Sequence, residues 1–451
     1  MPPLAKKFRF YYRFFTALIT TYWQSILVGV LFGSIAFLFA PRLFRLVSHL
    51  HSTYTIAYVA RPTLSELPLE IQRQISSGLT FTDTAGLPQP ALSTGWQATD
   101  SGKTYIFTLQ KNLRWHDGSP VKSSHIKYQF KDAKIEYPDD HTLKISLPDP
   151  FAPLPILASR PVFKDKLIGT GSYRAVSIRK NGPFIESLTL SPITPGNRQP
   201  QIKYIFYLSE KTARAAFKLG LVNSIADLTD PQELSDWPNS RVTTTTKHDR
   251  YVAVFFNTQS PLFTGSAGKS VRQALALAID KSRWPGDQRA IGPLSPTSWA
   301  YSSDVKNYDQ DLDRAKQLLQ KNAAIPFPTL TLSTLPAYLS VAEMIKSDWQ
   351  ALGLTVEISV VPEAPSDFSA LIAAQAIPKD PDQYYLWHST QPGNITHTNH
   401  PRLDKLLEDG RKTLDPEVRR DLYLDFQKAL VEEAPAVFLY YPQIYSVSRS
   451  K

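Results

Sequence analysis

The sequence predicts an α/β protein built from two or more lobes. At 451 residues the chain is longer than a single hydrophobic core usually sustains. Apolar residues between 341 and 352 recur at helical spacing, Gly353 follows, and Val356, Ile358 and Val360 alternate as in a strand. Helix–glycine–strand units of this kind are typical of α/β lobes. A composition of 42% hydrophobic and 12% aromatic residues is that of a folded chain.

Cysteine content and charge exclude several classes of function. The chain has no cysteine, which excludes disulfides, thiolate nucleophiles, cysteine-ligated metals and a lipid-modified cysteine. The net charge is +10, but Lys6, Lys7, Arg9 and Arg13 precede the first acidic residue, Glu66. The rest of the chain is only mildly basic and shows no clustered basic face. We therefore do not expect nucleic acid as a partner.

A long apolar segment follows the basic N-terminal tail. Residues 14–41 contain no Lys, Arg, Asp or Glu, and this length is enough for a helix to cross the hydrocarbon core. We predict a cytoplasmic basic tail at 1–13, a single transmembrane anchor at 14–41 and a linker at 42–53. Because the tail is the more basic flank, the C-terminal body is expected outside the cell, extracellular or periplasmic. A cleaved signal peptide and a buried core helix are the alternatives.

An alternating strand followed by a turn occupies residues 105–120. Tyr105, Phe107 and Leu109 fall on one face at a period of two, as in a half-buried strand. The dipeptide at 117–118, Asp-Gly, then predicts a turn. Asp can hydrogen-bond the backbone that follows it, and Gly accepts a positive φ.

Two further motifs indicate local structure. In VRQALALAID, residues 271–280, apolar positions recur at i, i+3, i+4, i+7 and i+8, which predicts a helix with one buried face. In GTGSY, residues 169–173, two glycines predict a tight loop with a close backbone approach. This loop is not a phosphate-binding loop, because no Gly-Lys-Ser/Thr follows it.

These strings resemble family 5 of the bacterial extracellular solute-binding proteins, the oligopeptide and dipeptide receptors of ABC importers. YIFTLQKNLRWHDGSP resembles the family's signature run, which a helix follows, so a helix is expected at 121–130. GTGSY resembles the family's "GTGPY" turn, and VRQALALAID resembles its "VRqAl..AID" helix. The resemblance extends from about residue 54 to residue 448.

The resemblance implies an α/β, bilobal periplasmic-binding-protein-like fold of the class II type, with two lobes, a hinge and a preceding transmembrane helix. We expect the first lobe at 54–258, discontinuous and with a small subdomain. The second lobe is expected at 259–430, and a C-terminal return to the first lobe at 431–451. Such a monomeric, membrane-anchored receptor would close on a peptide and deliver it to ABC permease subunits. An orphan ligand sensor or adhesion domain with the same fold is the alternative.

The segment 380–394, DPDQYYLWHSTQPGN, is the candidate ligand-binding segment. Pro381 prevents a regular helix there and predicts an exposed turn. Its large side chains with polar tips can line a concave site and hydrogen-bond a ligand backbone. A Tyr/Trp strand packed in the second lobe is the alternative, and by resemblance Asn257 matches an element that enters the family's cleft. We expect ligand contacts from Asn257, Asp380, Asp382, Tyr384, Tyr385, Trp387, His388 and Asn394.

One position departs from the family pattern. Peptide-binding members place an Asp three residues before the "DP" aspartate, where it pairs with the peptide's α-ammonium, and this chain has Ile377 there. Asp380 or Asp382 could substitute. Otherwise the ligand could be a blocked peptide, a sugar or a metal chelate.

The sequence shows no pattern of an enzyme site. It lacks a G-x-S-x-G elbow, an H-E-x-x-H motif and a glycine-rich nucleotide fingerprint. His397 and His400 lie in NITHTNH beside Pro401, which favours a polar loop over a metal site. We therefore expect a binding protein without catalytic activity, cofactor or metal.

Overall fold

The computed structural model describes residues 53–194, 199–322 and 329–450, together with isolated helical residues between 12 and 34. Within these residues, no helix combines the length and the apolar character that crossing a bilayer requires. Most residues of the predicted cytoplasmic tail, anchor and linker lie outside the described residues.

The described residues form eighteen strands and nine α-helices. The strands are β1 (Thr53–Val59), β2 (Thr80–Thr82), β3 (Pro88–Pro90), β4 (Ser93–Thr99), β5 (Thr104–Leu109), β6 (Lys134–Asp139), β7 (Thr142–Ser146), β8 (Tyr173–Asn181), β9 (Phe184–Pro192), β10 (Gln201–Tyr207), β11 (Ser224–Leu228), β12 (Ser240–Thr246), β13 (Arg250–Phe256), β14 (Leu330–Thr334), β15 (Val356–Val360), β16 (Ala370–Ala376), β17 (Ala436–Tyr440) and β18 (Gln443–Arg449). The helices are α1 (Leu69–Ile75), α2 (Leu154–Leu157), α3 (Glu210–Lys218), α4 (Gly265–Ala278), α5 (Leu312–Asn322), α6 (Leu339–Gln350), α7 (Tyr384–Trp387), α8 (Pro401–Lys412) and α9 (Pro416–Glu433).

The first lobe is built on a mixed sheet that has seven strands in the described part of the chain, in the order β12-β18-β11-β1-β10-β9-β8. β1 runs parallel to both of its neighbours, and the other pairings are antiparallel. Successive residues of a strand face opposite sides of the sheet. Ala57 accordingly packs in a cluster with α3, and Tyr58 packs in a cluster with α1. Both faces of the sheet are covered by helix, as in α/β proteins.

A subdomain of the first lobe contains a four-stranded antiparallel sheet in the order β4-β5-β7-β6. The predicted strand is confirmed, because Tyr105, Phe107 and Leu109 are buried in its core and Thr108 is exposed. The helix expected at 121–130 is wrong.

A single 3₁₀ turn, Ser123–His125, forms where that helix was expected. The Ser123 hydroxyl donates to the Asp139 backbone oxygen, and His125 Nδ1 accepts the Lys122 N–H at 3.3 Å. The His125 bond is a local side-chain contact of the kind that competes with helix formation, and the Ser123 bond ties the turn to the end of β6. The segment therefore follows the edge of the subdomain rather than coiling.

The second lobe is built on a sheet in the order β15-β14-β16-β13-β17. The predicted helix at VRQALALAID is confirmed as part of α4, which buries Val271, Ala274 and Leu275. Trp349 of α6 is fully buried, and its indole N–H donates to the Leu275 backbone oxygen at 3.0 Å. This contact fixes α6 against α4 within a single large core.

The chain crosses between the two main sheets at residues 247–249 and 441–442. β13 pairs with β16 and β17, so it lies in the second sheet, whereas β18 pairs with β11 and β12 in the first. The crossings therefore fall before the expected boundary at 258 and after the one at 431. An apolar strand such as β13 is compatible with either sheet, and only its pairing decides which one it joins. We call residues 247–249 and 441–442 the crossing segments.

The crossing segments lie side by side. The Lys247 N–H donates to the Pro442 backbone oxygen at 2.8 Å, and the His248 ring packs edge-on against Tyr441 with 4.9 Å between ring centroids. Chain passages of this kind between two lobes are where domain motions concentrate.

The GTGSY loop contacts the end of α1, as the two glycines predicted. The Gly171 N–H donates to the Ile75 backbone oxygen at 2.8 Å, and the His116 N–H donates to the Gly169 backbone oxygen at 2.9 Å. A Cβ on Gly169 would overlap the Ile75 backbone oxygen. The two sequence motifs therefore meet, and glycine is required sterically.

Replacing Gly169 by alanine should lower the free energy of unfolding by about 1–3 kcal/mol, because the new methyl group has no space. Gly95→Ala is the matched control, since no atom lies within 4 Å of a Cβ there, and its effect should stay within about 0.5 kcal/mol. Urea unfolding followed by circular dichroism measures both. Equal midpoints for the two variants would contradict the close approach.

Candidate ligand-binding cleft

Three adjoining cavities lie between the lobes. Their volumes are about 300, 220 and 360 Å³. The first and third share Arg73, Pro378 and Lys379, and the second and third share Ile156 and Asp380. We refer to the three together as the interlobe cleft. Their combined size is in the range of pockets that hold small organic ligands.

The first-lobe wall of the cleft comes from α1, residues 82–87 and residues 151–160. Asp83 shapes the second of these segments. Its carboxylate accepts the Leu87 N–H at 2.9 Å and the Gln89 side-chain amide at 2.9 Å. The hydrogen bond from Gln89 lowers the pKa of Asp83, so this loop is held by an ionised carboxylate.

The second-lobe wall comes chiefly from residues 377–382, which follow β16. The Ile377 N–H donates to the Asp249 backbone oxygen at 2.8 Å, so the segment starts beside a crossing segment. Trp299 extends the same wall, and a Cβ on Gly86 of the first lobe would lie 3.6 Å from its Cδ1 atom. The two walls thus touch at one side of the cleft.

A buried ion pair supports this wall. Arg419 of α9 and Asp380 have side chains that are only 7% and 5% exposed. Arg419 Nη1 donates to Asp380 Oδ2 at 3.0 Å, Nη2 donates to Oδ1, and Nε donates to the Gly410 backbone oxygen at 2.7 Å. Burial lowers the pKa of Arg419, but attraction to Asp380 outweighs it and leaves the pKa raised. Burial also raises the pKa of Tyr105, which lines the same cavity, to about 12.

A second ion pair lies closer to the first lobe. Arg411 Nε donates to Asp382 Oδ2 at 3.1 Å, and the guanidinium lies 4.1 Å from the Tyr384 ring centroid and 5.0 Å from that of Phe151. Burial raises the pKa of Asp382, and Arg411 opposes that rise. The Ala152 N–H donates to the Arg411 backbone oxygen at 2.8 Å, which makes Arg411 a contact between the lobes.

Of the eight expected ligand contacts, the structure brings Asp380 and Asp382 to the cleft. Tyr384 lies directly behind them, stacked on His388 with 4.2 Å between ring centroids. Tyr385 is 57% exposed. Neither tyrosine lines the three cavities, but the Tyr384 ring contacts Arg411, which does.

The other expected contacts lie within the second lobe. Trp387 is buried and packs against Phe255, with 6.4 Å between ring centroids. His388 is buried, and its Nδ1 and the Thr390 hydroxyl are 2.9 Å apart.

Two asparagines hold turns. Asn394 Nδ2 donates to the Thr398 backbone oxygen at 2.8 Å. Asn257 follows β13 at the end away from the crossing segment, and its Oδ1 accepts the Gln259 N–H at 3.1 Å. Both asparagines are buried, and these bonds satisfy polar groups that burial would otherwise leave unpaired.

Several residues of the cleft were absent from the sequence-based expectation. All of them are basic or aromatic, and no sequence motif marks them. A cation on a helix, for example, is usually a solvated surface group. The string APLPI at 152–156 was the one available signal, since clustered prolines mark a rigid, non-repetitive segment. These residues are Arg73, Trp96, Arg160, Trp299, Lys379, Arg411 and Arg419.

An interlobe cleft between two α/β lobes defines the class of bilobal binding proteins. The model of the family "Bacterial extracellular solute-binding proteins, family 5 Middle" matches residues 88–397. The chain belongs to this family of solute-binding proteins.

Individual relatives are similar over most of the chain. The oligopeptide-binding protein AppA of Bacillus subtilis is 23% identical, covering 86% of this chain and 86% of the relative. The structure of the ABC transporter substrate-binding protein CtaP from Listeria monocytogenes has a TM-score of 0.74 at 20% identity, covering 89% of this chain and 94% of that one. The B. subtilis AppA structure, in complex with a nonapeptide, has a TM-score of 0.65 at 20% identity, covering 88% and 95%. These likenesses establish the bilobal α/β fold.

Replacing Asp380 by asparagine should lower the free energy of unfolding by about 3–5 kcal/mol, because it leaves the Arg419 guanidinium buried without its counter-ion. The matched control is Lys405→Gln, which removes one half of the exposed pair Lys405–Asp409 and should leave the unfolding midpoint nearly unchanged. Chemical unfolding of both variants checks this. A cost for Asp380→Asn as small as the control's would show that the pair does not support the wall.

Proposed function

We propose that this chain is a solute-binding receptor for peptides or peptide-like molecules, which it delivers to the permease subunits of an ABC importer. The observation that carries the proposal is the interlobe cleft, which lies beside the two crossing segments and is lined from both lobes. A peptide ligand is supported by the relative that is named an oligopeptide-binding protein and by the neighbouring structure in complex with a nonapeptide. The ligand would be bound and released without covalent change.

Lobe closure follows from the position of the walls. A ligand that touches Arg73 on the first lobe and Lys379 on the second makes both contacts only when the lobes are close. Because the ligand binds the closed form more tightly, it shifts the population toward that form. The contact of Arg411 with Ala152 and Phe151 is one that opening would break.

We propose that the moving bodies divide at the crossing segments. One body would contain residues 53–246 with 443–449, and the other residues 250–440. The eight residues expected from the sequence would then have two roles. Asp380 and Asp382 would form part of the cleft wall. The other six would hold that wall in position from within the second lobe.

We further propose that residues 14–41 anchor the protein in the membrane and keep the two-lobed body on the outside. The support is the absence of charged residues from this segment and the basic tail before it. An anchor of this type would keep the receptor near its permease without a lipid-modified cysteine, which the chain lacks.

The anchor is tested by fractionating bacterial cells that produce either the 451-residue chain or a variant that begins at residue 53. We expect the full chain in the membrane fraction, released by detergent and not by high salt, because its apolar segment would remain in the bilayer. The shortened variant should stay in solution. Recovery of both in the soluble fraction would refute the anchor.

Ligand-induced closure is tested by small-angle X-ray scattering of the protein with and without a mixture of short peptides. The radius of gyration should fall when peptide is added. In Leu157→Trp, a bulky ring placed at the 360 Å³ cavity should obstruct the ligand and abolish the change.

The matched control for this variant is Leu219→Trp. Leu219 is 75% exposed and does not line the interlobe cleft, so the ligand-dependent compaction should persist. An unchanged radius of gyration in the original protein at saturating peptide would refute closure.

A further inference from the structure

Each carboxylate that lines the interlobe cleft in the described residues already has a partner. Asp380 is paired with Arg419, and Asp382 is paired with Arg411. The two others are engaged locally: Asp249 pairs with Arg250 at 3.0 Å, and Asp83 holds its own loop, including the Gln89 side chain. The two least exposed of these carboxylates, Asp380 and Asp382, are therefore already neutralised by arginines.

Three basic side chains of the cleft are in the opposite situation. Within residues 53–194, 199–322 and 329–450, the side chains of Arg73, Arg160 and Lys379 make no hydrogen bond or ion pair. All three border the 360 Å³ cavity, Arg73 and Arg160 from the first lobe and Lys379 from the second. Partial burial lowers the pKa of Arg73, and the nearby Glu70 carboxylate offsets only part of this effect.

For the proposed closure, this distribution of charge favours an anionic ligand. When the lobes approach each other, the three like charges repel across a space from which water is being removed, where electrostatic interactions are stronger than in bulk solvent. An anionic group between them replaces repulsion by attraction. A ligand ammonium would add a fourth positive charge.

The ion pairs cannot be redirected to such an ammonium. If Asp380 turned to a ligand cation, Arg419 would be left buried without its counter-ion, and removing one partner of a buried pair is strongly unfavourable. If Asp382 turned, Arg411 would lose its only ion-pair partner among the described residues.

The cavity of 220 Å³ is lined mainly by apolar and aromatic side chains. It is bordered by Trp96, Tyr105, Trp299 and Leu414, and its charged residues are the neutralised pair Asp380 and Arg419. This space fits an apolar or aromatic group, which gains by leaving water. The cleft therefore joins an anion-binding end to an apolar compartment.

We infer that the ligand is an anion without a free ammonium group: a carboxylate at the Arg73–Lys379 end, with an apolar group directed toward Trp299 and Tyr105. An amino-terminally blocked peptide or an acylated amino acid has this chemistry. The inference rests on the proposed function and restricts its substrate class. Since the unpaired cations belong to both lobes, the carboxylate would also act as the bridge that holds the closed form.

The test offers the 451-residue protein a library of tripeptides in four forms: both ends free, amino end acetylated, carboxyl end amidated, and both ends blocked. Equilibrium dialysis with mass spectrometry measures the fraction of each form retained. We expect the acetylated form with a free carboxylate to bind at least about tenfold more tightly than the amidated form with a free amine. This preference should weaken as salt is added.

Variants assign the preference to the cleft. Arg73→Gln and Lys379→Gln should each weaken binding of the acetylated form several-fold and leave the doubly blocked form unchanged. Neither side chain makes a hydrogen bond or ion pair in the described residues, so these replacements remove no native contact of that kind. Arg402→Gln removes the same charge from an exposed position of α8 that does not line the cleft, and it should change nothing.

The possible failures are distinguishable. Tighter binding of the amidated form with a free amine, or equal binding of the acetylated form by Arg73→Gln, Lys379→Gln and the original protein, would overturn the inference and leave the receptor function in place. If no form were retained and scattering showed no compaction, the receptor function would fall together with the inference.

Discussion

The adjacency of the two crossing segments is the constraint on which the rest of the molecule depends. The hydrogen bond from Lys247 to Pro442 joins them at 2.8 Å. The Lys247 ammonium also lies 3.5 Å from Asp227 and 3.7 Å from Glu70, so this passage is tied electrostatically to the first lobe. In the proposed closure, the lobes would rotate about this place while each keeps its own core. One of the three cavities borders it through His248 and Asp249.

The buried pair of Arg419 and Asp380 determines the chemistry of that cleft. A carboxylate that could have received a ligand cation is used to hold the wall in position, and removal of either partner would leave a buried charge. The side chains at the 360 Å³ cavity that make no hydrogen bond or ion pair in the described residues include three cations, Arg73, Arg160 and Lys379. The isoleucine at 377 agrees with this distribution of charge, because it places an apolar side chain, and not a carboxylate, at this position of the cleft wall. In the proposed receptor, one set of charged side chains holds the wall and a different set faces the ligand.

Local patterns in the sequence predicted local structure well. Alternation predicted β5, helical spacing predicted α4, and paired glycines predicted the close approach at residues 169–171. The helix expected at 121–130 was wrong because Ser123 and His125 bond to nearby backbone. The candidate site could be predicted only for residues that lie together in one short segment, such as 380–382. An ion pair such as Arg419–Asp380 joins residues 39 apart in the chain, and nothing in either local sequence indicates its partner.

We propose that ligand binding brings the two lobes together by rotation about the crossing segments. The chain contains no cysteine, so spin labels can be placed at Lys111→Cys in the subdomain and Val418→Cys in α9 without a background signal; both positions are exposed. Double electron–electron resonance then measures the distance between the lobes directly. Without ligand, we expect the distribution of distances between the labels to be broad or centred at a longer distance. With saturating carboxylate-bearing peptide, we expect a single shorter distance. The same distance distribution in both conditions, with bound peptide verified, would contradict it.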